Sequence, residues 1–77
     1  MPDPDARNEQ ATFQPALIDL LLASLKALVA VGQADTACRL AGEACAVLRG
    51  RDPAGWQKFN VFLHRAAKHV AEEHVQK

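Results

Sequence analysis

The chain has little of what usually cross-links or charges a small domain. It contains two cysteines, one tryptophan, three phenylalanines and no tyrosine in 77 residues, and its formal net charge is zero. Two cysteines are too few for a disulfide framework, and Cys38 and Cys45 would be about 10 Å apart by rise on one helix, too far for a bond. A neutral chain also lacks the basic excess that is typical of nucleic-acid-binding domains.

Signals for export or membrane insertion are also missing. Residues 1–5 carry acid rather than base and no apolar stretch follows them closely, so a secretion signal is not expected. We expect a reduced, cytoplasmic setting. The apolar run of the predicted first helix is broken by Asp19 and Lys26, and we interpret it as too short for a membrane span. Association with another chain remains as a source of stability for a domain below about 80 residues.

The first predicted helix follows a polar segment. Residues 1–12 include two prolines and show no periodicity, which is typical of a disordered tail. Pro15 suits the first turn of a helix, where its missing N–H is not needed. Gly32 can close that helix in a left-handed conformation. We therefore predict a first helix over residues 15–31.

Two further helices have their own start and stop signals. Asp35 is a suitable N-cap for the second helix, and Gly50 can end it. Asp52 followed by Pro53 is the clearest helix start in the chain. The predicted helices are 35–49 and 53–71, and residues 74–77 are expected to fray.

These helices predict an all-α fold, a three-helix antiparallel hairpin-plus-helix bundle over residues 13–73, because short connections make successive helices antiparallel neighbours. The inward stripe of the second helix is rich in alanine, so a neighbouring helix can approach closely. The third helix places Trp56, Phe59 and Phe62 on one face. We expect these rings to fill the core against the small residues.

The first helix has more apolar surface than its two neighbours can cover. One stripe contains Leu17, Leu20, Leu21 and Leu28, and the other contains Ile18, Leu22, Leu25 and Val29. We predict that the core covers one stripe and that Ile18, Leu22, Leu25 and Val29 form a protein interface. The partner would be a second copy, giving a homodimer, or a larger protein. The alternative is a monomer in which the second and third helices bury both stripes.

The spacing of small residues over positions 21–48 resembles a tetratricopeptide repeat. Gly32 is followed after five residues by Ala37 and after seven more by Ala44, where that family has small residues that let a helical hairpin pack tightly. Leu21 and Leu28 resemble the large residues of the repeat's first helix. The third helix would then correspond to a capping helix.

The chain departs from that repeat at three positions. Leu25 stands where a small residue is typical, Ala41 where an aromatic is, and Arg49 where the closing proline would be. The resemblance implies peptide or protein binding and no catalytic chemistry.

Nucleic-acid binding is the alternative function. The residues available for a basic patch are Arg49, Arg51, Lys58, Arg65 and Lys68. The neutral chain and the lack of a specific recognition-helix motif make this class the weaker hypothesis.

Catalytic and metal-binding residues are not evident, and we expect no enzyme activity, cofactor or small-molecule substrate. Cys38 lies near a predicted helix N-terminus, which can activate a thiol, but the neighbouring Asp35 opposes thiolate formation. His69 and Glu73 could be two ligands of one metal, yet no third ligand is visible. We interpret these residues as a small apolar filler and a local surface contact.

Overall fold

The computed structural model describes the backbone of residues 4–75 and the side chains of residues 12–73. It contains three helices, α1 (Pro4–Ala30), α2 (Ala34–Leu48) and α3 (Pro53–Val75), and the described residues form no strand. The predicted all-α class is confirmed. Because the connecting turns are short, α2 runs opposite to α1, and α3 runs in the same direction as α1.

The first helix begins earlier than predicted. Residues 4–12, which we expected in a disordered tail, belong to α1, and Pro15 lies inside the helix rather than in its first turn. The physical reason is that this segment is mostly good helix formers after Pro4, which suits a first helical position. Residues 1–3 of the predicted tail and residues 76–77 of the predicted frayed end lie outside the described residues. The backbone of α3 stays helical to Val75, beyond the predicted end at residue 71.

The two glycine stops and one of the two aspartate caps are confirmed. Gly32 and Gly50 adopt left-handed φ angles of 83° and 75°. Asp52 accepts a hydrogen bond from the Gly55 backbone N–H at 3.0 Å, so it caps α3. Asp35 does not cap α2, because it lies inside the first turn and forms an ion pair with Arg39 instead.

A backbone amide at the start of α2 is bound from another helix. The N-cap position of α2 is Gln33, whose side chain makes no capping hydrogen bond. The Ala34 backbone N–H donates instead to Glu73 Oε1 at 3.2 Å. The end of α3 therefore supplies an acidic group to the start of α2, where free amides and the helix dipole favour a negative charge.

The core joins alanines of α2 to bulky side chains of α1 and α3. Ala37, Ala41 and Phe59 are fully buried, and Leu25 of α1 is 1% exposed. Alanine on α2 lets the Phe59 ring approach its backbone closely, which is the small-against-large packing expected from the sequence. Trp56, which we expected in this core, is only partly buried.

Candidate interaction surfaces

Two of the four residues predicted for the interface are buried in the chain's own core, and the other two lie at its edge. Ile18 and Leu25 are buried, and Leu22 and Val29 are partly buried and pack against them. Ile18 and Leu25 are therefore not accessible to a partner, whereas Leu22 and Val29 keep part of their surface exposed. The prediction that all four residues form one exposed interface was therefore wrong for Ile18 and Leu25.

Polar contacts on both sides of this stripe explain why this side of α1 faces the core. On one side, Gln14 donates a hydrogen bond from Nε2 to Asp52 Oδ2 at 2.8 Å. On the other side, Lys58 Nζ lies 3.0 Å from Asp19 Oδ1. Because both contacts join α1 to α3, they form only when the side of α1 between them, which carries Ile18, turns inward.

Most of the other stripe of α1 is exposed, although Leu28 is partly buried against the core. Phe13 and Leu20 are 64% and 65% exposed, and Leu17 and Leu21 are also exposed. A subset of the exposed residues on this side of α1 follows one another at spacings that alternate between four and three positions. We call this row the α1 seam, and it consists of Phe13, Leu17, Leu20, Ser24, Ala27 and Val31.

This 4–3 alternation is the repeat by which two helices pack side by side over a long distance. A second row, Ala16, Ala23 and Ala30, borders the seam and is also exposed. Alanine permits close approach of another helix backbone, since its side chain ends at Cβ. The sequence analysis grouped α1 into two stripes and missed this repeat, although the spacing was present in the sequence.

The exposed apolar surface continues from α1 onto α2. Leu40 and Val47 of α2 are exposed. A shallow cavity of about 280 Å³ lies between the two helices, and the residues lining it include Leu17, Leu21 and Val47. Its lining is almost entirely apolar, so it can receive a hydrophobic side chain.

A second surface lies between α1 and α3. We call this cavity of about 630 Å³ the basic groove. Its apolar lining comprises Leu22, Val29, Val61, Phe62 and Ala66, and its cationic lining comprises Lys26, Lys58, Arg65 and Lys68. Gln57 and His69 are the remaining residues that line it, so no carboxylate does.

The predicted basic patch is only partly assembled. Lys58, Arg65 and Lys68 line the basic groove, because their spacing of seven and three residues keeps them on one side of α3. Arg49 and Arg51 are exposed but do not line it. Lys26 of α1 joins the patch, which sequence reasoning missed because it required knowing which side of α1 faces α3.

The two thiols have environments that disfavour the reactive form. Burial raises the pKa of the Cys38 thiol, and the nearby carboxylates of Asp35 and Glu73 raise it further. Burial also raises the pKa of the Cys45 thiol. A thiol with a raised pKa has less thiolate at neutral pH, which disfavours attack by either sulfur.

The histidine contact differs from the one expected. His69 Nδ1 lies 3.6 Å from Glu72 Oε2, whereas Glu73 binds the Ala34 amide. Within the part of the chain that the structure describes, no group of three or more metal-ligating side chains comes together. His69 and Glu73 thus contact different partners in this structure.

The apolar length of α1 is greater than the sequence analysis assumed. The segment Thr12–Ala30 has 19 residues and is long and apolar enough to cross a membrane by length and composition alone. The earlier interpretation of this run as too short was wrong, because the helix includes residues before Pro15. Core helices of soluble proteins pass the same test, so the property does not by itself assign a membrane location.

Comparisons with known proteins add no functional assignment. No family model matches the chain, and neither the curated proteins nor the solved structures give a significant match. Of the resemblance to a tetratricopeptide repeat, the structure supports the coarser content, a chain of three helices.

Proposed function

We propose that this protein is a small, non-enzymatic helical interaction module that self-associates as a homodimer through the α1 seam. The observation that carries the proposal is the exposed 4–3 repeat from Phe13 to Ala27 of α1, continued by Val31 in the following turn, on a helix whose opposite side packs against the core. A row of side chains about 27 Å long, apolar except for Ser24, is left in water in the single chain. A second copy presents the same row and can cover it.

The order of side chains along the seam favours an antiparallel pair. When two α1 helices run in opposite directions around a twofold axis, Leu17 of one copy lies opposite Ala27 of the other. Leu20 then lies opposite Ser24, and Phe13 lies opposite Val31. Each larger side chain meets a smaller one, which fills the space evenly. In a parallel pair, Leu20 would meet Leu20 and Ser24 would meet Ser24, which leaves alternating crowding and gaps.

The energetic gain is large for a chain of this size. Full burial of a leucine side chain contributes about 1.5–3 kcal/mol. A symmetric dimer buries Leu17 and Leu20 of both copies, so that four leucine side chains are covered. Because the stability of a folded domain is only about 5–15 kcal/mol, pairing along the seam changes the population of the folded state substantially.

A dimer suits α1 better than insertion into a membrane. Asp19 and Lys26 lie within the apolar segment. A charged side chain near the centre of a bilayer costs about 2.5–3.5 kcal/mol on insertion scales. Insertion would also remove Ile18 and Leu25 from the core, where they contact the rest of the bundle. Pairing with a second copy leaves these contacts intact.

The resemblance to a tetratricopeptide repeat agrees with a role in protein binding. Ala37 is fully buried and Ala44 partly buried, in line with small residues at a helix–helix contact, and Gly32 adopts the left-handed turn between the helices. We include in the proposal that α1 and α2 pack as a repeat-like hairpin, with α3 as the cap.

The mass in solution tests the proposal. Sedimentation equilibrium over a concentration series should give twice the 8.3 kDa chain mass for the natural sequence. Leu20→Glu should give a monomer with unchanged helicity, because a carboxylate in the seam cannot be buried against a partner. Val61→Glu is the matched control, since Val61 is an exposed aliphatic residue outside the seam, and it should remain dimeric.

Two results would contradict the dimer. One is a single 8.3 kDa species at high micromolar concentration for the natural sequence. The other is an unchanged dimer in Leu20→Glu, which would place the contact elsewhere. Flotation of the natural protein with lipid vesicles, abolished by Leu20→Glu, would instead assign the seam to a membrane surface.

A further inference from the structure

We propose that the basic groove between α1 and α3 binds an acidic amphipathic helix of a partner protein. The groove lies on the side of α1 that carries Leu22 and Val29, whereas the seam contains other residues of the same helix. The two surfaces are therefore separate, and the inference does not depend on the dimer.

The floor of the groove requires an apolar occupant. Leu22 and Val29 of α1 and Phe62 of α3 line it and are at least partly buried, and Val61 is an exposed aliphatic residue at its side. Water in contact with these side chains gains few hydrogen bonds. An occupant with leucine-like side chains on one face would release this water and bury the floor.

The cations of the groove require that the occupant also be acidic. Lys58 is paired with Asp19, and His69 contacts Glu72. Lys26, Arg65 and Lys68 have no ion-pair partner among the described side chains. Three unpaired cations around an apolar floor, without a carboxylate in the lining, are complementary to a surface that is apolar in its middle and negative at its edges.

The shape of the groove selects a helix as the occupant. The residues of α3 that line it run from Gln57 to His69, about 18 Å by helical rise, which matches a partner helix of about 12 residues. The two walls are parallel helices that contact each other less than either contacts α2. A third helix can lie along such a gap in the way helices pack in bundles.

Other anionic ligands fit less well. An acyl chain in this open groove would leave much of its apolar surface in water, whereas an amphipathic helix turns its polar face outward. The phosphate backbone of a nucleic acid would gain nothing from the apolar floor. These ligands are therefore alternatives for the test rather than part of the proposal.

Fluorescence anisotropy measures the binding directly. The probe is a labelled synthetic peptide of about 14 residues with leucines on one helical face and glutamates on the other. We expect saturable binding to the natural protein, and binding weaker by about tenfold or more to Lys26→Glu/Arg65→Glu. The matched control is Arg49→Glu/Arg51→Glu, which makes the same change in charge outside the groove and should alter the affinity by less than about twofold.

A second peptide and a second variant separate the apolar and ionic contributions. The same peptide with glutamine in place of glutamate should bind about tenfold more weakly. Val61→Glu should also weaken binding, since it places a carboxylate beside the floor. The monomeric Leu20→Glu should bind the acidic peptide as the natural protein does, so failure of the dimer and failure of the groove are distinguishable.

Several results would overturn the proposal. Equal loss of binding in the two double variants would show that the attraction is not located in the groove. Equal affinity for the glutamate and glutamine peptides would show that the cations do not contribute. A further contrary result is that the peptide fails to bind while dodecanoate, anionic vesicles or an oligonucleotide binds to the natural protein but not to Lys26→Glu/Arg65→Glu. That result would identify the bound ligand, rather than an acidic helix, as the occupant of the groove.

Discussion

Gly42 and Gly55 show how position decides the effect of one methyl group. Gly42 is exposed on α2, and a Cβ added there would meet no atom within 4 Å. Gly55 is buried in α3, and an added Cβ would lie 2.8 Å from Asp52 Oδ2 and 2.8 Å from Ile18 Cδ1. The missing side chain at Gly55 therefore leaves room both for the helix cap and for α1.

Replacing each glycine by alanine should have opposite effects. Gly42→Ala should stabilise the protein by about 0.5–1 kcal/mol, because alanine restricts the unfolded chain and favours helix. Gly55→Ala should destabilise it by about 1–3 kcal/mol, because the methyl group displaces Ile18 or the capping carboxylate. Urea unfolding at one protein concentration measures both changes. Stabilisation by both substitutions would mean that α1 and α3 do not approach closely at Gly55.

At the scale of the helices, the local signals of capping and turning were readable from the sequence. Gly32, Gly50 and Asp52 act within a few residues of their own positions, so their roles follow from short-range geometry. The α2 start was misread by two residues, because Gln33 rather than Asp35 is the N-cap, and the Ala34 amide is bound by Glu73, which is 39 positions away. No local pattern contains that information.

The orientation of α1 was not predictable in the same way. Its two apolar stripes have similar composition, and hydrophobicity alone does not distinguish them. Contacts of Gln14 and Asp19 with α3 accompany the inward position of Ile18, and these depend on where α3 lies. The sequence therefore indicated that α1 has surplus apolar surface but not which side carries it. Because the sequence does not show which side of α1 faces α3, Lys26 was not included in the basic patch.

The start of α3 should make stability depend on pH. The hydrogen bond from the Gly55 amide lowers the pKa of Asp52 most, and the hydrogen bond from Gln14 also lowers it. A carboxyl whose pKa is lower in the folded state stabilises the fold above its ordinary pKa, and this contribution is lost as the pH falls through the folded value. We expect Tm to be constant near neutral pH and to fall in acid.

Asp52→Asn isolates this contribution, because asparagine keeps the capping oxygen but does not titrate. Its Tm should be lower than that of the natural protein at about pH 7, and the two values should converge toward about pH 2. Thermal melts followed by circular dichroism, at fixed protein concentration, provide the measurement. A constant difference between the two proteins at all pH values would show that charge at Asp52 does not contribute.

At the scale of the whole molecule, the direction of pairing in the proposed dimer can be measured by cross-linking. Cys38→Ala/Cys45→Ala provides a background free of the natural thiols. Leu17→Cys and Ala27→Cys are then made separately, one of them carrying a mass tag. In the antiparallel pair each position faces the other, while two copies of the same position are about 15 Å apart along the helix. Because a disulfide needs Cα atoms within about 7 Å, only the mixture should cross-link efficiently under mild oxidation.

A parallel pair reverses this pattern, since each variant would then cross-link to itself and the mixture would yield no additional product of mixed mass. The result matters beyond the direction of α1. An antiparallel twofold pair turns the two basic grooves in opposite directions along the dimer, so two acidic helices could bind without competing. A parallel pair would point both grooves the same way and bring their cations onto one end of the assembly, where repulsion opposes dimer formation at low salt. Exclusive self-cross-linking of Leu17→Cys would therefore contradict the small-against-large register of the seam.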